Sequence, residues 1–286
     1  MDTGQLFGLL WHQLTDTQFR ESVALFNRRF EANGFDLGWF KGKQCLDAGT
    51  GSGRNALAMA NLGADVSACD ISEAGLATAI ERTQPARIEY RRASVLDLPY
   101  PNATFDFVYC AGVLHHTPSV AQGMDELTRV LKRGGKLFLL LYGVGGLRWK
   151  LVAALRQIAQ ELGYDAIDRA ITAAGLPANN RKNFLDDLFV PIQTHIRWTD
   201  LEQMLADRGY GQIDRWTLAK LDQEASPEAQ LEELTKLERI FSSIGGPLGG
   251  LGHRIAADFC GVASQNITDH ALVVGEGNHR VLAAKA

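Results

Sequence analysis

An apolar run, Gln44–Ala48, leads straight into the turn Gly49-Thr50-Gly51-Ser52-Gly53 and then into a helical pattern. A second apolar run ends on Asp70, 21 positions after Gly49. Strand, glycine turn and helix in that order constrain this chain more than any other feature. Glycines at 49, 51 and 53 allow positive φ and close approach of other groups to the backbone. The helix behind them offers free N–H groups and the positive end of its dipole. Such a turn accepts a carboxylate or a phosphate. The dinucleotide fingerprint G-x-G-x-x-G would need glycine at 54, where this chain has Arg54. The glycines alone therefore leave the ligand open.

Asp70 adds a second constraint. A carboxylate at the end of the second strand, beside the turn, can accept both hydroxyls of a ribose; the alternative is an N-cap for the helix that starts near Ser72. A third feature lies in SVLDLPYPNATFDFVYC. Asp97 can accept from an adenine amino group while Leu98 packs on the ring, or it is a turn aspartate before Pro99.

From Gln44 to Tyr142, short apolar runs alternate with helical patterns. Gln44–Ala48, Asp65–Cys69, Ile88–Arg91, Phe105–Ala111 and Lys136–Tyr142 read as strands; Gly53–Leu62, Ser72–Thr83 and Val120–Leu131 read as helices, the last ended by Gly134. That alternation indicates βαβ units around a buried parallel sheet, with helices on both faces. Before it, Gln18 to Phe30 carries a helical stripe of Phe19, Val23, Phe26 and Phe30, read as a cap over one end of the sheet; Trp11 is core or reaches the ligand. After it, Trp149–Leu162, Asp165–Ala174, a helix capped by Thr199 with Glu202, and Pro227–Ser242 read as helices. GLPANNRKN reads as a loop, Gln212–Leu218 as a strand, Gly245–Gly252 as a mobile loop, and His279–Lys285 as a last strand with which Ala271–Val274 pairs. The expected organisation is a cap over 1–40, a core over 41–143, a helical lid over 144–211, and completion of the sheet over 212–286.

With 46% apolar and 22% charged residues the chain reads as an ordinary globular protein. Its net charge of −4 argues against a broad phosphate-backbone surface, so no nucleic acid is expected as partner. The start, MDTGQLFGLLWHQ, lacks a basic region, and no apolar run reaches membrane-span length, so no membrane is expected either. Cys45, Cys69, Cys110 and Cys260 are scattered without metal-ligand spacing, which fits a reducing cytoplasm and no metal.

CLDAGTGSG, ACDIS, ASVLDLPYPNATFDFVYCAGVLHHTP and RVLKRGGKLFLLLYG, in that order over about Gly42 to Gly143, resemble the class I S-adenosylmethionine-dependent methyltransferase family. The resemblance implies a Rossmann-like, doubly wound α/β fold of seven strands in the order 3-2-1-4-5-7-6, the seventh antiparallel, with the lid inserted after strand five. It also implies S-adenosyl-L-methionine as cofactor. Asp47 would lie near its methionine part, and Gly49, Thr50, Gly51 and Gly53 would meet methionine and ribose. Asp70 and Ile71 would take the sugar side, Asp97 and Leu98 would frame adenine, and Cys110 would flank the cofactor at the end of strand four. Thr50 departs from the small residue usual there. NFLDDLFVPIQTHIRWTDLEQMLADRGY resembles, more loosely, a pattern of small-molecule members.

Methyl transfer from a sulfonium requires proximity, alignment and removal of water, and a base only where the nucleophile must lose a proton. His115 and His116 follow strand four, where the methyl should point, and His115 comes first; the alternative is that one packs under the cofactor while the other faces outward. His195 is a third candidate, as acceptor contact or loop residue. Arg54 pairs with the cofactor carboxylate or lies solvated; Asp186 and Asp187, adjacent, read as solvated charge. Tyr142, Trp149, Phe184 and Trp198 wall an acceptor pocket or are core. The leading reading is a methyltransferase acting on a small-molecule acceptor, O or N. The alternatives are an RNA or protein methyltransferase, disfavoured because CAGV stands where base methyltransferases carry an N-P-P-Y-type sequence, an NAD-type oxidoreductase, disfavoured by Arg54, and an S-adenosylmethionine-binding protein without methyl transfer.

Overall fold

A computed structural model describes residues 3–12, 15–176, 178–216 and 226–286. The described residues divide into two compact units: 3–142 with 191–216 and 278–286, and 143–190 with 226–277.

The first unit is built on one sheet. Its strands are β1 (Gln44–Ala48), β2 (Asp65–Asp70), β3 (Ile88–Arg92), β4 (Phe105–Ala111), β5 (Leu131–Tyr142), β6 (Tyr210–Arg215) and β7 (Asn278–Lys285). They lie in the order β3-β2-β1-β4-β5-β7-β6, with β1 to β5 parallel and β7 antiparallel to both neighbours, as the resemblance implied. The central strands are apolar on both faces because helices cover both. Val108, Leu137, Leu139 and Leu141 pack with Met124 and Leu127 of α5 (Val120–Val130) and with Leu201 and Leu205 of α9 (Trp198–Ala206). Phe107, Tyr109 and Phe138 face the other way, into a cluster with Phe26, Phe30, Phe40 and Trp216. Phe26 and Phe30 of the stripe join that cluster, so α2 (Asp16–Ala32) packs on a face of the sheet rather than over its end; it also buries Phe19, and Thr15 with Gln18 forms a capping box at its start. Two further helices, α3 (Arg54–Asn61) and α4 (Glu73–Thr83), follow β1 and β2.

A helix absent from the sequence reading, α1 (Thr3–His12), packs on α4 and buries Leu6 and Leu10. The side chain of Trp11 and residues 217–218 lie outside the described residues. α9 starts at Trp198 with Arg197 in the cap position and no side-chain cap, so the expected Thr199 capping box does not form.

The second unit is helical: α6 (Leu147–Leu162), α7 (Tyr164–Ala173), α8 (Ala178–Phe189), α10 (Pro227–Ser242), α11 (Gly246–Gln265) and the short α12 (His270–Val273). The expected loop GLPANNRKN runs into α8, because Phe184, Leu185 and Leu188 give that stretch a buried face. The expected mobile loop 245–252 is the start of α11. A Cβ at Gly249 would sit 2.1 Å from the Ile244 carbonyl oxygen, and one at Gly252 would sit 2.2 Å from the Phe241 ring. Close packing against the end of α10 thus outweighs a helix-propensity cost of about 1 kcal/mol per glycine. Ala271–Val274 does not pair as a strand; Asp269 caps α12 over that stretch.

Asp186 and Asp187 are buried rather than solvated. Arg148 of α6 donates to the Asp187 carboxylate, and Arg156 donates to the Asp187 carbonyl at 2.6 Å. The pair therefore ties α6 to α8, and its partner lies 39 residues away in sequence. Among the described residues no helix is long and apolar enough to cross a membrane.

Candidate cofactor and acceptor site

The turn after β1 is fixed from below. Gly49 and Thr50 N–H groups both donate to the Cys69 carbonyl of β2, at 2.8 and 2.9 Å. Gly49 has φ +80°, and a Cβ there would meet Val113 Cγ2 at 2.3 Å. Gly53, also at φ +80°, caps α3. Asp47 is 1% exposed and sits under the turn: its Oδ2 accepts from the Thr50 hydroxyl at 2.7 Å and the Ala56 N–H at 3.0 Å. Burial pushes its carboxyl up to about 6, against the hydrogen bonds from Thr50 and Ala56 and the charge of Arg54. Arg54 is partly buried rather than solvated; burial lowers its guanidinium, with Tyr109 and Asp47 opposing.

That carboxyl gives a stability prediction. The folded chain binds the Asp47 proton more tightly than the unfolded chain, so ionising Asp47 destabilises the fold as pH rises from about 4 to about 6. The loss is about 3 kcal/mol over that window, complete above it. Asp47→Asn keeps an oxygen for Thr50 and Ala56 without the charge. Denaturant melts of both chains at pH 4 to 8 should show the Asp47 contribution missing from the variant, which at pH 7.5 is at least as stable as the parent.

Asp70 joins the turn to the next helix. Its Oδ2 accepts from Gly51 N–H and its Oδ1 from Ser72 N–H, each at 2.8 Å. Burial pushes this carboxyl up, and the N–H groups of Ser72, Gly51 and Ile71 pull it down. The N-cap of α4 is Ser72 itself, whose Oγ accepts from Gly75 N–H. Each Asp70 oxygen keeps a second lone-pair direction, so the carboxylate can still accept a vicinal diol.

These groups border a cavity of about 730 Å³ at the carboxyl ends of β1 to β4, within the range of small-molecule and cofactor sites. All of its lining residues belong to the first unit. It is lined by Gly49, the stretches Asp70–Ala74 and Arg92–Leu96, Ala111–Val113, His116–Pro118, Ile192 and the α1 residues Thr3–Gln5 and Phe7.

Of the residues expected from the sequence, Gly49, Asp70, Ile71 and His116 line this cavity. Thr50, Gly51 and Gly53 shape the turn. Asp97 and Leu98 do not line it. Asp70 pairs in register with Arg92, so β3 ends level with Asp70, and Ser94, Val95 and Leu96, which follow that end, line the cavity. Asp97 N–H closes a turn on the Ser94 carbonyl at 3.1 Å. Leu98 is 3% exposed in the core, with its N–H donating to Glu126 Oε2 at 2.7 Å. Counting from the strand end, rather than looking for an acid, would have found Ser94. Cys110 is also core, its thiol pushed well up by burial.

Of the two adjacent histidines, His116 lines the cavity and His115 does not. His115 is wholly buried, stacked on Tyr142 with ring centroids 3.7 Å apart, and its pKa is held well below the ordinary value by burial and by His116 and His195. Phe7 of α1 lies 5.3 Å from the His116 ring. His195, half-buried, lies 5.9 Å from Tyr142 and outside this cavity wall. Phe184 is core of the second unit, Trp149 carries the Arg148 guanidinium at 4.5 Å, and Trp198 carries that of Arg215 at 4.7 Å. None of these three aromatics, nor Tyr142, lines the cavity.

Residues 46–139 match a family model described as a methyltransferase domain. The chain is 31% identical over 205 residues to an uncharacterized protein of Synechococcus sp., covering 60% of this chain and 49% of that one. It is 38% identical over 105 residues to a ubiquinone biosynthesis O-methyltransferase of Acinetobacter baylyi, covering 35% and 44%. The chain spans about half the length, or less, of the curated relatives it matches. In fold it is similar to a phosphoethanolamine N-methyltransferase of Haemonchus contortus in complex with S-adenosylhomocysteine, with a TM-score of 0.51 at 19% identity over 96% of this chain and 58% of that one.

Proposed function

We propose that this chain, which belongs to the class I S-adenosylmethionine-dependent methyltransferase family, moves a methyl group by in-line displacement to a small organic acceptor. The observation that carries the reading is the single cavity wall on which Gly49, Asp70 and the post-β3 segment meet. The residues fit the cofactor. Asp70 keeps acceptor capacity for the two ribose hydroxyls, Ile71 and Leu96 offer apolar surface to adenine with Ser94 beside them, and bare Gly49 leaves room toward methionine. When bound, the cofactor supplies an activated methyl on a good leaving group. The protein's share is alignment and exclusion of water, to which the α1 residues and Ile192 in the cavity lining contribute.

The test is a screen of a small-metabolite extract with methyl-labelled S-adenosylmethionine. Label should pass to one or a few small molecules with equimolar S-adenosylhomocysteine. Label on RNA or protein instead would replace the acceptor class. Tight cofactor binding with no label transfer to any fraction would leave a binding protein.

A further inference from the structure

Gly8 stands in the middle of α1, a ten-residue helix, although glycine is the poorest helix former after proline. A close contact explains it. A Cβ at Gly8 would lie 2.8 Å from Ser72 Oγ and 3.0 Å from the Ala74 Cβ. Ser72 cannot turn away to make room. Its Oγ accepts from Gly75 N–H at 3.2 Å as the cap of α4, and its N–H donates to Asp70 Oδ1 at 2.8 Å. A helix as short as α1 is marginal in water by itself, so it persists because it is docked. Leu6 and Leu10, each 1% exposed, and Gly8, also buried, are the evidence of that docking. The first turn of α4 is shared between α1 and the cavity: Ser72–Ala74 line it, and so do Thr3–Gln5 and Phe7 of α1. Gly4 lies one helical turn before Gly8, so the contact that seats Gly8 on Ser72 also sets the start of α1 at the cavity.

We infer that Gly8 is a positioning residue for the cofactor: it seats α1 on the first turn of α4, and S-adenosylmethionine enters, and S-adenosylhomocysteine leaves, only when α1 lifts from Ser72. The inference rests on the cofactor reading above. The chain of contacts is short. A ribose held at Asp70 fixes the carboxylate whose Oδ1 accepts from Ser72 N–H, and Ser72 is the residue on which Gly8 rests. Gly8 itself touches no part of the cofactor cavity; it acts through Ser72 and through the neighbours it carries, Gly4 and Phe7. Such coupling is reciprocal: if docking of α1 raises affinity for the ligand, the ligand holds α1 down by the same factor.

Gly8→Leu adds bulk at this contact while raising the helix propensity of α1, so a loss is assigned to docking and not to a weaker helix. Labelled S-adenosylhomocysteine is bound to the full chain and chased with excess unlabelled compound, and amide hydrogen exchange is followed with and without the ligand. In the parent chain the ligand should slow exchange over residues 3–12 by a factor of about 5–150. The variant should release the label faster by a factor of the same order, and its α1 amides should exchange fast with or without ligand. Exchange in β1 and β4 should match the parent, which separates undocking of α1 from a general loss of stability. If Gly8→Leu does not melt cooperatively, Gly8→Ala is read in the same way, with a smaller gain in release rate. Three results overturn the inference: release from the variant at the parent rate, α1 amides indifferent to ligand in the parent, or acceleration in β1 and β4 equal to that in α1. Ligand that binds both chains and leaves them at one rate sinks this inference alone; ligand that binds neither sinks the cofactor reading as well.

Discussion

Alanine at Gly49 is expected to cost the fold about 2–5 kcal/mol and to abolish measurable cofactor binding. Two effects add. A side chain at φ +80° costs roughly 1–2 kcal/mol in the left-handed region. The new Cβ also meets Val113 Cγ2 at 2.3 Å and Cγ1 at 2.8 Å, and forced overpacking of this kind costs about 1–3 kcal/mol. The turn cannot yield downward, because Gly49 and Thr50 N–H groups are both committed to the Cys69 carbonyl. It can yield only into the cavity, where the cofactor would lie. Val113→Ala in the same chain removes both Cγ atoms, so the double variant should recover the packing share and keep the conformational one. The pair then shows a coupling of at least about 1 kcal/mol in denaturant melts, as contacting residues do. A Gly49→Ala chain that melts like the parent and binds S-adenosylhomocysteine would remove the close approach at this turn from the account.

Asp70→Ala should weaken S-adenosylhomocysteine binding on the order of 10²–10⁴-fold, from two hydrogen bonds to a charged group at about 1.5–3 kcal/mol each. The reasoning extends to asparagine. Both oxygens of Asp70 already accept a backbone N–H, from Gly51 and from Ser72. An asparagine must present its NH₂ to one of those donors, so the turn or the start of α4 is pushed away. Asp70→Asn is therefore expected to resemble Asp70→Ala more than the parent in a calorimetric titration. Parent-like affinity in the asparagine chain would mean that Asp70 only caps the local backbone.

Some of this was legible in the sequence for clear reasons. Parallel strands with both faces covered are written as short apolar runs, and the glycine turn with Asp70 marks a place where backbone must be bare and a carboxylate must stand. Those features gave the parallel sheet and one part of the cavity, while the strand order came from the family resemblance. What was not legible depends on contacts between residues far apart. Asp97 was expected at the cavity because it follows the third strand, yet Ser94, Val95 and Leu96, nearer the strand end, are the residues that line it. His115 and His116 differ by one position, and it takes the fold to stack one on Tyr142 and to set the other on the cavity wall. Asp186 and Asp187 read as solvated until Arg148 is brought to Asp187. The glycines of α11 read as a loop by propensity, and packing on Phe241 and Ile244 overrode it.

The most direct measurement is a crystal structure of this chain grown with S-adenosylhomocysteine. The ribose hydroxyls are expected on Asp70, with adenine against Ile71 and Leu96 beside Ser94. Density for the ligand away from Asp70, or a cavity that stays empty at saturating ligand, would contradict it.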